Sequence, residues 1–133
     1  MEIEIFTLCD YAQDMKGKFV IVGTFDTIFP SVYPCIHPSC SVALRLRFSD
    51  EEQGDHMLKI RIIDSKGNEI IKNIEGKIQV AVPMKGHHST VNFALQLNQL
   101  KFDQAGKYAI ELYFDGEWRS GLPLLLSELK PTA

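Results

Sequence analysis

The sequence predicts an all-β fold, an antiparallel sandwich of roughly eight or nine strands, on three observations. Apolar and polar residues alternate with period two along most of the chain, as in strands with one buried and one solvated face. Turn residues separate these runs at the spacing typical of a sandwich or barrel. No window of a dozen residues has the period of an amphipathic helix, which excludes a fold of alternating strands and helices.

Composition limits the domain count and the classes of partner. With 133 residues, 45% of them hydrophobic, the chain can form one domain with its own core, and we expect a single domain over residues 1–133. A formal net charge of -3 gives no general field that would attract nucleic acid or acidic lipid. No apolar run approaches the roughly 18 residues that cross a bilayer. We therefore expect neither nucleic acid nor a membrane as a partner.

The first two strands are expected to form a hairpin. Residues 3–8 and 19–25 are rich in branched and aromatic side chains, and Gly17-Lys18 between them suits a turn. Acidic and apolar residues alternate from Glu2 onward, whereas a secretory signal begins with basic residues and a long apolar stretch. We expect no cleaved signal.

Residues 27–38 interrupt the alternation with three prolines spaced four residues apart. Because proline cannot donate to an interior ladder, we expect an extended crossover between the sheets at the edge of the sandwich. Phe29, Tyr33 and Ile36 should pack inward from it. A binding lip is the alternative function for this segment.

Two runs with outward basic residues follow, residues 42–48 and 57–63. If they pair antiparallel around an acidic hairpin tip at residues 50–55, four basic side chains share one outward face. These are the candidate binding residues: Arg45, Arg47, Lys59 and Arg61. They would bind an anion or an acidic partner, unless neighbouring Glu69, Glu75 and Glu111 neutralise them and make an ordinary charged sheet face.

The C-terminal half continues the period-two pattern at residues 78–82, 91–97 and 108–114. Asp115-Gly116 predicts a hairpin turn of the primed type, which requires positive φ at both central residues. Residues 107–115 should therefore pair with a last strand at residues 117–126. This C-terminal strand ends with leucines on both faces and contains a proline, so we expect an edge strand through which the chain meets a protein partner or forms a homodimer.

One motif carries a resemblance to a known fold. Its residues are Leu100, Phe102, Gly106, Tyr108, Ile110 and Leu112. The motif resembles the tyrosine corner of immunoglobulin-like sandwiches, in which a tyrosine hydroxyl bonds to backbone a few residues upstream. The resemblance implies an immunoglobulin-like sandwich. The antibody cysteine two positions later is replaced by Ile110, so no intersheet disulfide is implied.

A second resemblance extends over the whole chain. Including Cys9-Asp10-Tyr11-Ala12 and Gly23-Thr24-Phe25-Asp26, the sequence is similar to a small bacterial protein family of unknown function. The resemblance implies a bacterial origin and an immunoglobulin-like sandwich. It implies no activity and no functional residue.

The three cysteines, Cys9, Cys35 and Cys40, are an odd number without an export signal, so we expect reduced thiols and a cytoplasmic location. Cys35-x-His37-x-x-Cys40 contains soft ligands of the kind that zinc prefers. Pro38 interrupts their spacing, and no fourth ligand is nearby in sequence. We therefore expect no metal and no cofactor.

No nucleophile has a base, an orienting group and an oxyanion donor at a recognisable spacing. We therefore expect that the protein is not an enzyme, and we assign no catalytic residue. The leading hypothesis is a non-enzymatic binding or protein-interaction module. The alternatives are a metal- or thiol-dependent enzyme that uses Cys35, His37 and Cys40, and a structural subunit of a larger assembly.

Overall fold

A computed structural model describes residues 1–71 and 74–128. Within them the chain forms nine strands and one short 3₁₀ helix at Asp50–Glu52. The strands are β1 (Glu2–Met15), β2 (Lys18–Thr24), β3 (Thr27–Ile28), β4 (Cys35–Ser49), β5 (Gly54–Ile63), β6 (Ile74–Val80), β7 (His88–Phe102), β8 (Gly106–Phe114) and β9 (Glu117–Leu126).

The strands form two sheets that pack face to face. The four-stranded sheet has the order β2-β1-β4-β7, and the five-stranded sheet has the order β3-β9-β8-β5-β6. Alternate residues of the central strands point into the space between the sheets, and the largest fully buried side chains include Phe48, Phe102, Ile62 and Ile110. Each such side chain contributes about 1.5–3 kcal/mol through burial. The predicted all-β class with two packed sheets is confirmed.

The turn between β8 and β9 has the predicted conformation. Asp115 and Gly116 have φ values of 50° and 84°, and the two strands pair from Gly106 with Leu126 to Phe114 with Glu117. The C-terminal hairpin is therefore confirmed; its last strand has the predicted bounds, and β8 begins and ends one residue before the predicted 107–115.

An N-terminal hairpin forms around the predicted turn, but residues 9–15 and not the predicted residues 3–8 pair with β2. β1 pairs with β2 only from Cys9 onward, while its first half pairs with β4. The tip of the hairpin reaches β7 on the outer side of the sheet, where the Asn92 side-chain amide donates a hydrogen bond of 2.8 Å to the Asp14 carboxylate. The hairpin covers a second small apolar cluster, formed by Cys9, Ala12 and Ala43 with Phe19 and Ile21.

The crossover between the sheets is confirmed. After β2 the chain leaves the four-stranded sheet, adds β3 to the five-stranded sheet, and returns to the four-stranded sheet at β4. The Phe25 amide donates to the Leu8 carbonyl oxygen of β1 at 3.0 Å, and the Leu125 amide of β9 donates to the Asp26 carbonyl oxygen at 2.8 Å. β3 then pairs parallel with the end of β9, after which the chain enters β4.

The packing predicted for this crossover is right at one residue and wrong at two. Tyr33 packs against the core, whereas 58% of Phe29 and 57% of Ile36 are exposed. Ile36 already belongs to β4 and lies opposite Lys101 of β7. The next pair along the two strands is His37 with Leu100, and Leu100 is buried. Strand alternation therefore turns Ile36 outward. Phe29 follows the two-residue strand β3 and has no neighbouring strand to hold it inward.

The predicted pairing of residues 42–48 with residues 57–63 is wrong. β4 pairs with β1 and β7, and β5 pairs with β6 and β8, so the two strands lie in different sheets. The segment between them is not a hairpin tip. Two hydrogen bonds stabilise its 3₁₀ helix: the Ser49 amide and the Ser49 hydroxyl both donate to the Glu52 carboxylate, at 3.0 and 3.2 Å. This helix carries the chain across the end of the sandwich.

β9 is partly an edge strand. It pairs with β8 along its length and with β3 at Leu125 and Leu126. Leu124 and Leu126 are buried in the core, whereas Leu125 is 43% exposed on the other face. In the described part of the chain, no helix is long and apolar enough to cross a bilayer.

Candidate functional site

The structure does not bring the four predicted basic residues together. Arg45 and Arg47 project from β4 on the four-stranded sheet, and Lys59 and Arg61 project from β5 on the five-stranded sheet. Alternation with the buried residues of each strand directs the two pairs to opposite outer faces of the sandwich. A single binding face built from all four residues is therefore wrong.

On the four-stranded sheet, both arginines have acidic partners. Arg45 Nε donates to Glu4 Oε1 at 2.9 Å, and its Nη1 donates to the Asn92 side-chain oxygen at 2.8 Å. Arg47 forms ion pairs with Glu2 and, at 3.6 Å, with Glu4. These contacts neutralise the positive charge at this face.

On the five-stranded sheet, the predicted acidic neighbours are the actual partners. Arg61 Nε donates to Glu69 Oε1 at 2.8 Å, and its Nη1 lies 3.7 Å from Glu111. Lys59 Nζ lies 3.9 Å from Glu75. Both faces therefore have the features of ordinary charged sheet surfaces, in which exposed pairs contribute little each.

An apolar opening lies elsewhere, at the side of the sandwich where β6 and β7 are the outermost strands. A cavity of about 260 Å³ lies there between the sheets. Its walls are Val42 and Leu44 of β4, Leu58 and Ile60 of β5, and Phe93 and Leu95 of β7.

A glycine opens this cavity. Ile74, Gly76, Ile78 and Val80 occupy the inward positions of β6, and Gly76 lies opposite Leu58 of β5. A Cβ added at Gly76 would have no heavy atom within 4 Å. The missing side chain therefore leaves space that an apolar residue would fill. A glycine at an inward position of a period-two run is the sequence signal that could have located the cavity.

The rim of the cavity is charged but neutralised. Glu75 and Lys77 flank Gly76 and point outward. Lys77 Nζ lies 3.1 Å from the Asp55 carboxylate, and Glu75 pairs with Lys59. The cavity therefore suits an uncharged aliphatic or aromatic group, since burying a charge without a partner is costly.

Main-chain groups are available beside the cavity. Among the residues that the structure describes, β7 pairs only with β4, and β6 pairs only with β5. An antiparallel edge strand directs alternate pairs of N–H and C=O groups away from its neighbour. β7 is 15 residues long, and Phe93 and Leu95 lie near its middle. Strand-pairing groups and an apolar cavity therefore occur side by side.

The cysteines and the histidine of the motif Cys35-x-His37-x-x-Cys40 lie at the start of β4. In the described ranges, no group of three or more His, Cys, Asp or Glu side chains is placed to hold a metal ion. Burial raises the pKa of Cys40 to about 11, with Cys9 and Asp10 adding to the effect. The protonated thiol is a weak nucleophile and metal ligand. Burial therefore does not favour a reactive role for the Cys40 thiol.

Sequence reasoning missed the role of His56. Its Nδ1 lies 2.7 Å from the Asp115 carboxylate, and its Nε2 lies 2.6 Å from the Glu52 carbonyl oxygen. Both partners only accept, so the ring donates from both nitrogens as an imidazolium. The hydrogen bond to Asp115 raises the pKa of His56, and the bond to Glu52 adds to it. The ring stacks on Phe48 and Phe114, which lie in opposite sheets, so His56 joins the sheets at one end.

Comparison with known proteins adds a family and no activity. Residues 4–127 match the model of DUF6941, described as a family of unknown function. No curated protein matches the chain. The match agrees with the resemblance to an unassigned family seen in the sequence.

Proposed function

We propose, given that the chain belongs to the family of unknown function DUF6941, that it is a non-enzymatic protein-interaction module. Its ligand is an extended segment of a partner protein that joins the four-stranded sheet as a new strand beside β7. Such strand addition takes affinity from main-chain hydrogen bonds and specificity from pockets for alternate side chains.

The cavity beneath the β7 edge is the observation that carries this proposal. A strand added to β7 directs every second side chain into the space between the sheets. At the level of Phe93 and Leu95, that side chain would enter the cavity of about 260 Å³ and lie over Gly76. One partner residue would thus complete the core where the chain supplies only glycine.

The chemistry of the cavity defines the partner segment. Its inserted residue is leucine, isoleucine, methionine or phenylalanine, since the walls are apolar and the rim charges are paired. Burial of that side chain contributes about 1.5–3 kcal/mol, and each new main-chain hydrogen bond contributes about 1 kcal/mol. After the cost of ordering the peptide, an affinity on the order of micromolar follows.

The test is a selection of random peptides displayed on phage against the full chain, followed by calorimetry on the enriched peptides. Gly76→Val, which fills the cavity, should weaken binding by at least about tenfold. Gln79→Val adds the same side chain to the same strand on its outer face and should leave binding unchanged. Hydrogen exchange of β7 amides should slow when peptide binds.

Several results would contradict the proposal. Enriched peptides without alternating apolar residues would contradict it, as would equal binding to both variants. Protection of amides on another strand would place the peptide elsewhere. A selection that enriches no peptide would remove the proposed ligand class.

Self-association through the C-terminal edge strand, as in a homodimer or an assembly subunit, is our second candidate. Among the described residues, β9 pairs only with β8 up to Leu124, and β3 joins its other side at Leu125 and Leu126. Leu125, two positions after Pro123, is exposed on the outer face of β9. Light scattering at millimolar concentration should then show the mass of a dimer. Leu125→Lys should restore the monomer, and a mass that stays monomeric would rule this candidate out.

We also propose an immunoglobulin-like type for the sandwich and a bacterial, cytoplasmic protein. The Tyr108 hydroxyl donates to the Gln104 carbonyl oxygen at 2.6 Å, and its ring meets Phe102 edge-on. This bond supports the immunoglobulin-like assignment. The free cysteines Cys9, Cys35 and Cys40 support a reducing compartment.

A further inference from the structure

A second pocket lies at the opposite side of the sandwich, between the N-terminal hairpin and the crossover. Its volume is about 340 Å³. Its walls combine acidic, hydroxyl, imidazole and phenyl groups from Asp10, Thr24, Phe25, Thr27, Phe29 and His37. This pocket unites two segments that resemble an unassigned family, Cys9–Ala12 and Gly23–Asp26, with the predicted binding lip.

Two polar groups in this pocket have no partner. Asp10 is exposed at the mouth of the pocket, and its carboxylate makes no ion pair or hydrogen bond within residues 1–71 and 74–128, whereas the acidic residues of both sheet faces are paired. His37 Nε2 is buried and has no hydrogen-bond partner among the described residues. Buried polar atoms are almost always satisfied, so an orphaned nitrogen indicates a group that the protein itself does not provide.

The backbone holds the carboxylate in place. Gly23 has a φ of 70°, in the left-handed region, and a Cβ there would lie only 2.6 Å from Asp10 Oδ2. The carboxylate therefore packs directly against the Gly23 backbone, and any larger residue would displace it. Glycine at this position serves both the strained backbone and the close approach of Asp10.

We propose that this pocket binds a primary alkylammonium group. The ammonium supplies the positive charge that Asp10 lacks and three N–H donors, for the carboxylate, a threonine hydroxyl and the His37 Nε2. The rings of Phe25 and Phe29 attract a cation through their faces. No lysine or arginine lines the pocket among the described residues, so nothing there repels it.

The same chemistry has two sources, a free alkylamine and the side chain of a lysine. Both present one ammonium at the end of an aliphatic chain, which the phenyl rings and Ile28 can cover. The site is distinct from the cavity beneath β7, because the two share no lining residue.

The test is a titration of the ¹⁵N-labelled full chain, followed by NMR, with n-butylammonium at constant ionic strength. Amides of Thr24, Phe25 and His37 should shift and saturate. n-Butanol and butyrate, which have the same chain without the cation, should produce no such shifts. N-acetyl-lysine methylamide forms the second arm. Tighter binding of this compound than of n-butylammonium assigns the site to lysine side chains, and the reverse order assigns it to free amines.

Variants locate the site. Asp10→Asn keeps the shape of the side chain and should weaken n-butylammonium binding by at least about tenfold. Gly23→Ala should do the same by displacing Asp10. Gly17→Ala is the matched control, since Gly17 also has a positive φ, of 87°, but has no heavy atom near its Cβ position. It should bind n-butylammonium as well as the unaltered chain does.

The inference is overturned if butanol shifts the same amides as n-butylammonium, which would indicate an apolar pocket that holds water at His37. It is also overturned if Asp10→Asn binds with unchanged affinity, or if no amide of the pocket responds to either amine.

Discussion

The two sides of the sandwich differ in what covers the gap between the sheets. At one side, residues 25–34 pass over the gap between the sheets and bond to both, through Phe25 to β1 and through Asp26 and Ile28 to the end of β9. At the other side, β6 and β7 face each other across the gap, and no strand among the described residues covers it. At the first side this segment covers the core, whereas at the second an apolar cavity of about 260 Å³ opens between the sheets.

The difference shows what closes a sandwich. The crossing chain supplies side chains as well as hydrogen bonds. Ile28 and Tyr33 pack against the core, and the Tyr33 hydroxyl donates to the Ser127 carbonyl oxygen at 2.7 Å. On the open side, the chain supplies Gly76, which has no side chain to place over the cavity. Closure therefore depends on a covering segment, and we propose that a partner provides it on the open side.

The largest expected effect comes from making the same truncation on both sides. Leu126→Ala, at a side chain that is 1% exposed beside β3, should cost about 2–5 kcal/mol of the free energy of unfolding. Leu95→Ala should cost only about 1 kcal/mol, because Leu95 is half-buried and already borders a cavity. Urea denaturation measures both. Equal losses would show that the two sides are packed alike.

Tyr33→Phe tests the hydrogen bond that the crossover adds. Loss of the hydroxyl leaves the Ser127 carbonyl with one donor fewer, which should lower stability by about 1 kcal/mol. Tyr11→Phe is the control, because the Tyr11 hydroxyl donates to Gln13 at 2.7 Å on the exposed hairpin surface. The control should change stability by less than about 0.5 kcal/mol. A larger loss in the control would show that the covered position is not special.

His56→Gln tests how one end of the sandwich is closed. The hydrogen bond to Asp115 raises the folded pKa of His56, so its stabilisation is complete below the unfolded pKa and is lost as the pH rises through the folded value. The variant should lose about 1 kcal/mol at pH 6 and less at pH 9.

The companion variant is Asp115→Asn, because asparagine tolerates the positive φ of this turn, removes the charge and leaves one oxygen to accept from Met57 or His56. It should flatten the same pH dependence, measured by thermal unfolding between pH 6 and pH 9. A stability profile that keeps its slope in both variants would contradict the imidazolium bridge.

The smallest effects are expected on the outer faces. Arg45→Gln and Arg61→Gln each remove an ion pair at a partly exposed site and should change stability by at most about 1 kcal/mol. Similar small values would show that the two sheets differ in packing at their edges and not in surface charge. A large loss at either arginine, by urea denaturation, would indicate a role beyond the ion pairs.

Local features of the fold were predictable from the sequence, because local patterns determine them. Period-two alternation predicts strands, and Asp115-Gly116 predicts the turn with its two positive φ values. The pairing of β4 with β5 was mispredicted because alternation fixes which face a residue takes and not which strand lies beside it. β4 and β5 are joined by the 3₁₀ helix at Asp50–Glu52 and not by a hairpin turn, so they lie in different sheets.

The candidate sites were less accessible to sequence reasoning. The cavity at Gly76 depends on four strands at once, and the Asp10 pocket depends on how close Gly23 lies in the folded chain. The basic residues were visible as a pattern, but their partners Glu2 and Glu4 come from a strand that the pattern did not place beside them. Spatial neighbours distant in sequence determine what such residues do.

The position of β4 in the centre of its sheet also bears on how the molecule is made. β4 pairs with β1, some forty residues earlier in the chain, and with β7, about fifty residues later. Such distant pairings must form before the sheet gains stability, so the barrier is dominated by loop closure, and folding should take milliseconds to seconds. During synthesis, β4 emerges from the ribosome long before β7 does, and an apolar strand exposed in that interval is open to aggregation or to a chaperone.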